Sequence, residues 1–160
     1  MKAILLLGSN LDNPLIQLRI ATKQLSAFVN VLRCSSVYVT AAWGKTDQAD
    51  FYNQALEIEF EASPSVLMKK IIEIERLMGR ERINKWEPRI IDIDIICIED
   101  LIIRDELLSI PHPYMQDRMF VLKPFEELTD AWEHPVLKLN VKELILNCTD
   151  KLQVRRLTIE

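Results

Sequence analysis

Asp92 and Asp94 stand two residues apart in a run of isoleucines, "RIIDIDII", from Arg89 to Ile96. Side chains alternate along a strand, so both carboxylates project from one face, with Cα atoms roughly 6.5–7 Å apart. Ile91, Ile93 and Ile95 project from the other and anchor the strand in a core. Two carboxylates that close repel, and burial raises the pKa of at least one. A hard dication removes the conflict. Magnesium takes oxygen ligands, keeps several waters, and commonly combines one or two carboxylates with substrate phosphates. The competing reading is a solvated sheet face where Asp92 and Asp94 meet only water. The loop before the strand weighs against it: Arg80, Arg82, Lys85 and Arg89 all lie there. Cations beside carboxylates beside a metal are suited to holding a polyphosphate. His112, stiffened by Pro111 and Pro113 and followed six residues later by Arg118, is a further candidate phosphate ligand.

The rest of the chain must position these groups. Lys2–Leu7 reads as a buried strand running into a Gly8-Ser9-Asn10 turn. Asn13-Pro14 is an N-cap with proline at the first helical position, and Leu15, Leu18, Leu25 and Phe28 follow at helical spacing. Val31–Val39 is a second strand, rich in β-branched residues. Thr40–Asp50 is a polar loop of the length often found at functional sites. Phe51–Phe60 alternates as a third strand. Ser63-Pro64 opens a second helix, with Leu67, Ile71 and Ile74 as its apolar stripe and Gly79 as its stop. A second loop, Arg80–Arg89, leads to a fourth strand, Ile90–Ile98. The order βαββαβ predicts an α+β fold: a ferredoxin-like core with an antiparallel sheet and helices on one face. A C-terminal extension follows, with a short helix over Met119–Leu128 broken near Pro124 and another over Val141–Leu146.

With 160 residues, 49% hydrophobic and 28% charged, the chain reads as one folded domain over 1–160. A net charge of -4 argues against a nucleic-acid partner. No apolar run approaches the ~20 residues of a membrane span. Three dispersed cysteines without a CxxC pair fit reduced thiols in a cytoplasmic protein better than a disulfide frame or a zinc site. A monomer is expected.

"GSN" after the first strand, "DFYNQA", "GRER", "WEPRIIDIDII" and "IPHPYMQDRMFVL" together resemble the 6-hydroxymethyl-7,8-dihydropterin pyrophosphokinases of folate biosynthesis. The resemblance runs from Gly8 to Leu122. It implies transfer of pyrophosphate from ATP, the co-substrate, to the hydroxymethyl oxygen of a reduced pterin, with release of AMP. It implies two magnesium ions held by Asp92 and Asp94, with Arg80 and Arg89 acting beside them in catalysis. On the ATP side it implies Glu75, Arg82, Trp86, Arg89, Ile95, His112 and Arg118. On the pterin side it implies Thr40, Ala41, Trp43, Phe51, Asn53, Asp92 and Phe120. It further implies that ATP binds first and that the two long loops close over the reactants. A pterin is flat and aromatic, so Phe51 and Phe120 can sandwich it, and Asn53 offers an acceptor and donors to its edge. Leu107 stands where some relatives carry a nucleotide-side arginine, and Glu87 where glycine is frequent. Two other classes remain open from the residues alone. A ligand-sensing module without catalysis would leave the arginine loop unexplained. A nucleotidyltransferase or phosphohydrolase built on the same carboxylates would release pyrophosphate or ADP instead of AMP.

Overall fold

A computed structural model of the chain describes residues 1–42, 47–80, 88–129 and 131–158. Strand β1 (Lys2–Ser9) is the centre of the sheet, and buried residues fill it from Ala3 onward. It pairs antiparallel with β4 (Phe51–Glu59) on one side and with β5 (Asp92–Ile98) on the other. Beyond β4 lie β2 (Asn30–Cys34) and β3 (Tyr38–Thr40), and β8 (Val154–Arg156) extends the sheet past β3. Helix α1 (Pro14–Leu25) connects β1 to β2, and α2 (Pro64–Leu77) connects β4 to β5. The βαββαβ core read from the sequence is therefore present, with its strands antiparallel. A hairpin of β6 (Ile103–Arg104) and β7 (Ser109–Ile110), then α3 (Met119–Glu126) and α4 (Val141–Asn147), separate β5 from β8.

Both core helices begin as their sequences dictate. Asn13 and Ser63 cap them by accepting from the amides of Ile16 and Val66, and each cap is followed by proline. Helix α2 ends before Gly79, whose φ of 89° is the left-handed conformation that favours glycine. Two boundaries differ from expectation. The strand expected over 31–39 is split, because the Ser35 hydroxyl accepts from Ala55 N–H at 2.9 Å and stands in for a backbone carbonyl of the ladder. Helix α3 runs through Pro124 instead of breaking there. The missing N–H falls in the last turn of a short helix, where only one intrahelical bond is lost.

The sheet carries helices on both faces. Leu5, Leu7, Leu56, Ile58, Ile93 and Ile95 pack against α1 and α2 through Leu18, Leu25, Leu67 and Ile71. These are the two core helices, on one face as expected. The C-terminal extension covers the other face. There Ile4, Leu6, Ala55, Ile96 and Cys97 meet Val121, Leu122 and Phe125 of α3 and Val141 and Leu144 of α4. A register shift between Ile4 and Leu5 leaves Ile96 as an extra residue in β5. This bulge lets Ile96 and Cys97 serve the same core.

Candidate active site

The α3 face of the sheet turns polar at one end. Gly8 in β1 is aligned with Asn53 in β4 and with Asp92 in β5. Opposed residues of an antiparallel pair share a face, and neighbouring strands lie about 4.8 Å apart. Asn53 and Asp92 therefore stand about 10 Å apart across a residue with no side chain. Glycine keeps this floor clear: a Cβ on Gly8 would come 3.0 Å from Asn53 Oδ1, close enough to push that side chain aside. The result is a shallow trough with an amide on one wall and carboxylates on the other. Asp94 is aligned with Leu6, at the point where the trough gives way to the apolar core.

On the acidic wall, Asp92 carries two guanidinium partners. Arg80 Nη1 donates to Asp92 Oδ1 at 2.6 Å, and Arg89 Nη1 donates to Asp92 Oδ2. Arg80 Nη1 also donates to Glu75 Oε1. Burial disfavours the charged Arg80 guanidinium, but Asp92, Glu75 and Asp94 outweigh it and raise its pKa. Asp94 has the opposite problem. Burial, Asp92 and Glu75 push its carboxyl up to about 7, against the pull of Arg118 and Arg80. The crowding foreseen for two strand carboxylates is present, and it falls on Asp94.

Beside these groups, the Ile96 carbonyl accepts from the backbone N–H of His112 at 2.8 Å. His112 Nδ1 accepts from Tyr114 N–H at 3.2 Å, which assigns the ring proton to Nε2. Burial first, then Arg118, lower the His112 pKa to about 4. The neutral ring is thus a donor through Nε2–H at physiological pH. The Arg118 guanidinium lies 5.4 Å from the Tyr114 ring centroid and 5.9 Å from that of Phe120, within cation–π range.

On the opposite wall, Asn53 Nδ2 donates to Thr40 Oγ1 at 3.3 Å, and both residues are buried. Phe51 is aligned with Thr40 and lies two residues from Asn53, so it shares that face. Ala41 follows Thr40 and is exposed.

The structure brings Thr40, Phe51, Asn53, Arg80, Arg89, Asp92, Asp94, His112 and Arg118 to this face or its rim. Trp43, Arg82 and Trp86 lie outside the described residues. Ile95 has its side chain buried in the core against α1 and α2, as strand alternation expects. Only its backbone can serve a ligand on the aspartate side. Two residues had no role assigned from sequence. Asn10 accepts from Arg89 N–H at 2.7 Å and donates to Ala49 O at 3.1 Å, joining the ends of both long loops. Tyr38 donates to Glu127 at 2.5 Å on the Asn53 side. Asn10 lies in the quoted "GSN" stretch, but its bonds are to residues distant in sequence.

Residues 4–130 match the family model described as 7,8-dihydro-6-hydroxymethylpterin-pyrophosphokinase. The chain belongs to this family. Relatives named 2-amino-4-hydroxy-6-hydroxymethyldihydropteridine pyrophosphokinase bear this out. That of Aquifex aeolicus is 36% identical, over 86% of this chain and 86% of its own length. That of Haemophilus influenzae is 35% identical over 96% of each, and that of Bacillus subtilis 40% identical over 82% and 80%. The fold is similar to a crystal structure of an HPPK-DHPS in complex with substrates, with a TM-score of 0.73 and 12% identity. The match covers 91% of this chain and 43% of that one, so this pyrophosphokinase-family chain spans less than half of that longer protein. Wild-type Plasmodium falciparum HPPK-DHPS with pteroate gives a TM-score of 0.70 at 19% identity, over 91% and 42%. At these identities the likeness is one of fold alone.

Proposed function

We propose that this chain transfers the pyrophosphoryl group of ATP to the hydroxyl of 6-hydroxymethyl-7,8-dihydropterin, giving the pterin diphosphate and AMP, in folate biosynthesis. The observation that carries it is the Gly8-floored trough, with Asn53 on one wall and the Asp92–Asp94–arginine cluster on the other, in a member of this family. The hydroxyl oxygen loses its proton to solvent and forms a bond to the β-phosphorus, the bond from that phosphorus to the α-phosphate oxygen breaks, and AMP carries that oxygen away.

The pterin lies on the Asn53 side, between Phe51 and Phe120, with its edge read by Asn53 and by the backbone at Thr40 and Ala41. The resemblance assigns Trp43 to the pterin as well, and Arg82 and Trp86 to ATP. The triphosphate lies over Asp92 and Asp94. Arg80 and Arg89 stabilise charge developing on the transferred group and on the departing AMP. His112 donates through Nε2–H, and Arg118 adds a fixed positive charge.

Two magnesium ions fit the acidic wall. The donors are hard oxygens, and the raised pKa of Asp94 marks a carboxylate short of positive charge. Among the described residues no three His, Cys, Asp or Glu side chains gather to hold a metal alone. Asp92 and Asp94 would hold the ions, with substrate phosphates and water as the other ligands. Metal bound there supplies charge neutralisation for the triphosphate and a lowered pKa for the attacking hydroxyl. Arg80 and Arg89, both held on Asp92, stand beside the place where the ions and the triphosphate would bind.

Residues 1–160 form one domain that acts as a monomer in the cytoplasm. Among the described residues no helix is long and apolar enough to cross a membrane. Incubation with ATP, magnesium and the reduced pterin tests the reaction. AMP appears only when pterin is present. Release of ADP or pyrophosphate instead would assign the other chemistry, and no nucleotide turnover would leave a binding module.

A further inference from the structure

Glu75 sits in the last turn of α2 and is 3% exposed. A carboxylate buried that deeply must be partnered. Its Oε1 accepts from the backbone N–H of Ile93 at 2.8 Å and from Arg80 Nη1. Ile93 is the residue between Asp92 and Asp94. Among the described residues strand β5 pairs only with β1, and the Ile93 N–H points off the opposite edge, to Glu75. Glu75 takes the place a neighbouring strand would fill. The same carboxylate grips a guanidinium that reaches on to Asp92 Oδ1 at 2.6 Å. The Arg80 backbone N–H also donates to Glu75 O at 3.0 Å.

We infer that Glu75 is the positioning residue of the acidic wall: it fixes the strand segment carrying Asp92 and Asp94 and holds Arg80 in its working orientation. It acts through those groups and leaves the nucleotide untouched. This rests on the proposed reaction for its kinetic readout and on geometry for the rest. The alternative from the sequence, a direct ATP ligand, predicts different numbers.

The test is a double-mutant cycle in the full-length protein, with Glu75→Gln and Arg80→Ala. Glutamine keeps an acceptor for Ile93 N–H but loses the charge that holds Arg80. Glu75→Gln alone lowers kcat about tenfold. In the Arg80→Ala background the same change costs less than about twofold, and KM for ATP stays within about twofold throughout. Equal losses in both backgrounds, or a raised KM for ATP, would overturn the inference. Two NMR readouts hold even if wild-type protein forms no AMP, an outcome that would instead defeat the proposed reaction. In Glu75→Gln the Arg80 Nε–H order parameter falls while Ile93 amide exchange stays slow. In the near-isosteric Glu75→Met the Ile93 amide exchanges faster. An Arg80 signal unchanged in Glu75→Gln would overturn the positioning role on its own.

Discussion

The two faces of the sheet are made by the same strands and separated by a one-residue alternation, yet they do opposite work. On the α1–α2 face the buried positions of β1, β4 and β5 are apolar along their length, and Ile93 is as dry as Leu5. On the α3–α4 face the apolar positions stop at Leu6, Ala55 and Ile96. Beyond them the same strands present Gly8, Asn53, Asp94 and Asp92. Each fully buried aliphatic side chain on the dry face contributes roughly 1.5–3 kcal/mol. That surplus lets the other face keep a crowded carboxylate at Asp94, a group that costs stability and serves a ligand.

The largest break of this contrast is Asp94→Asn. We expect AMP formation to fall by about a thousandfold or more. The melting temperature in EDTA at pH 8 should rise, because a carboxyl whose pKa is pushed up to about 7 is a destabilising anion once ionised. Loss of activity together with a lower melting temperature would mean that Asp94 is structural.

The matching change on the dry face is Ile71→Ala, at a fully buried position. It should cost about 2–5 kcal/mol in denaturant unfolding. The rate of AMP formation per folded molecule should stay near that of the parent. A specific loss of turnover would show that the two faces are less separable than their packing implies.

Local pattern made much of this legible. Period-two alternation placed Asp92 and Asp94 on one face opposite the isoleucines, and Asn13-Pro14, Ser63-Pro64 and Gly79 marked the helix ends. Contacts between residues distant in sequence were not legible. Nothing local to Ser35 says that its hydroxyl will take the place of the carbonyl opposite Ala55 N–H of β4. Nothing near Asn10 says that it will bond Arg89 and Ala49. Ile95 shows the same limit in reverse. The resemblance placed it on the ATP side, while strand alternation alone already assigned its side chain to the core. For Glu75 the resemblance implies only an ATP-side carboxylate, with no sign of its burial. Its bonds to Ile93 and Arg80 appear only once α2 lies along the edge of β5.

A smaller effect comes from pH. His112 has its pKa lowered to about 4 from 6.5, so between those values the unfolded chain binds the proton and the native protein does not. Its contribution to stability is complete above 6.5 and is lost as pH falls through 4. Asp94 works the other way. Its native form holds a proton between 3.8 and about 7, so its contribution falls as pH rises through that window. The two slopes oppose each other, each at most about 1.4 kcal/mol per pH unit. Melting temperatures in EDTA from pH 4 to 6.5 should therefore separate the variants. His112→Gln should become less stable as pH rises and Asp94→Asn more stable, relative to the parent. Parallel profiles would mean that neither group is perturbed.

The finest probe is a single methyl in the floor of the trough. Gly8→Ala adds a Cβ within 3.0 Å of Asn53 Oδ1, closer than nonbonded carbon and oxygen settle. Asn53 cannot yield freely, because its Nδ2 is committed to Thr40 Oγ1. The pterin wall should shift by a few tenths of an ångström, while Asp92, on the far side of β1, keeps its place. KM for the pterin should rise several-fold, with KM for ATP and kcat nearly unchanged, since the substrate edge loses alignment and the phosphate side does not. Equal rises in both KM values would point to displacement of the whole strand. No change in either would mean that Asn53 does not read the pterin, and that only the acidic wall of the trough takes part in the chemistry.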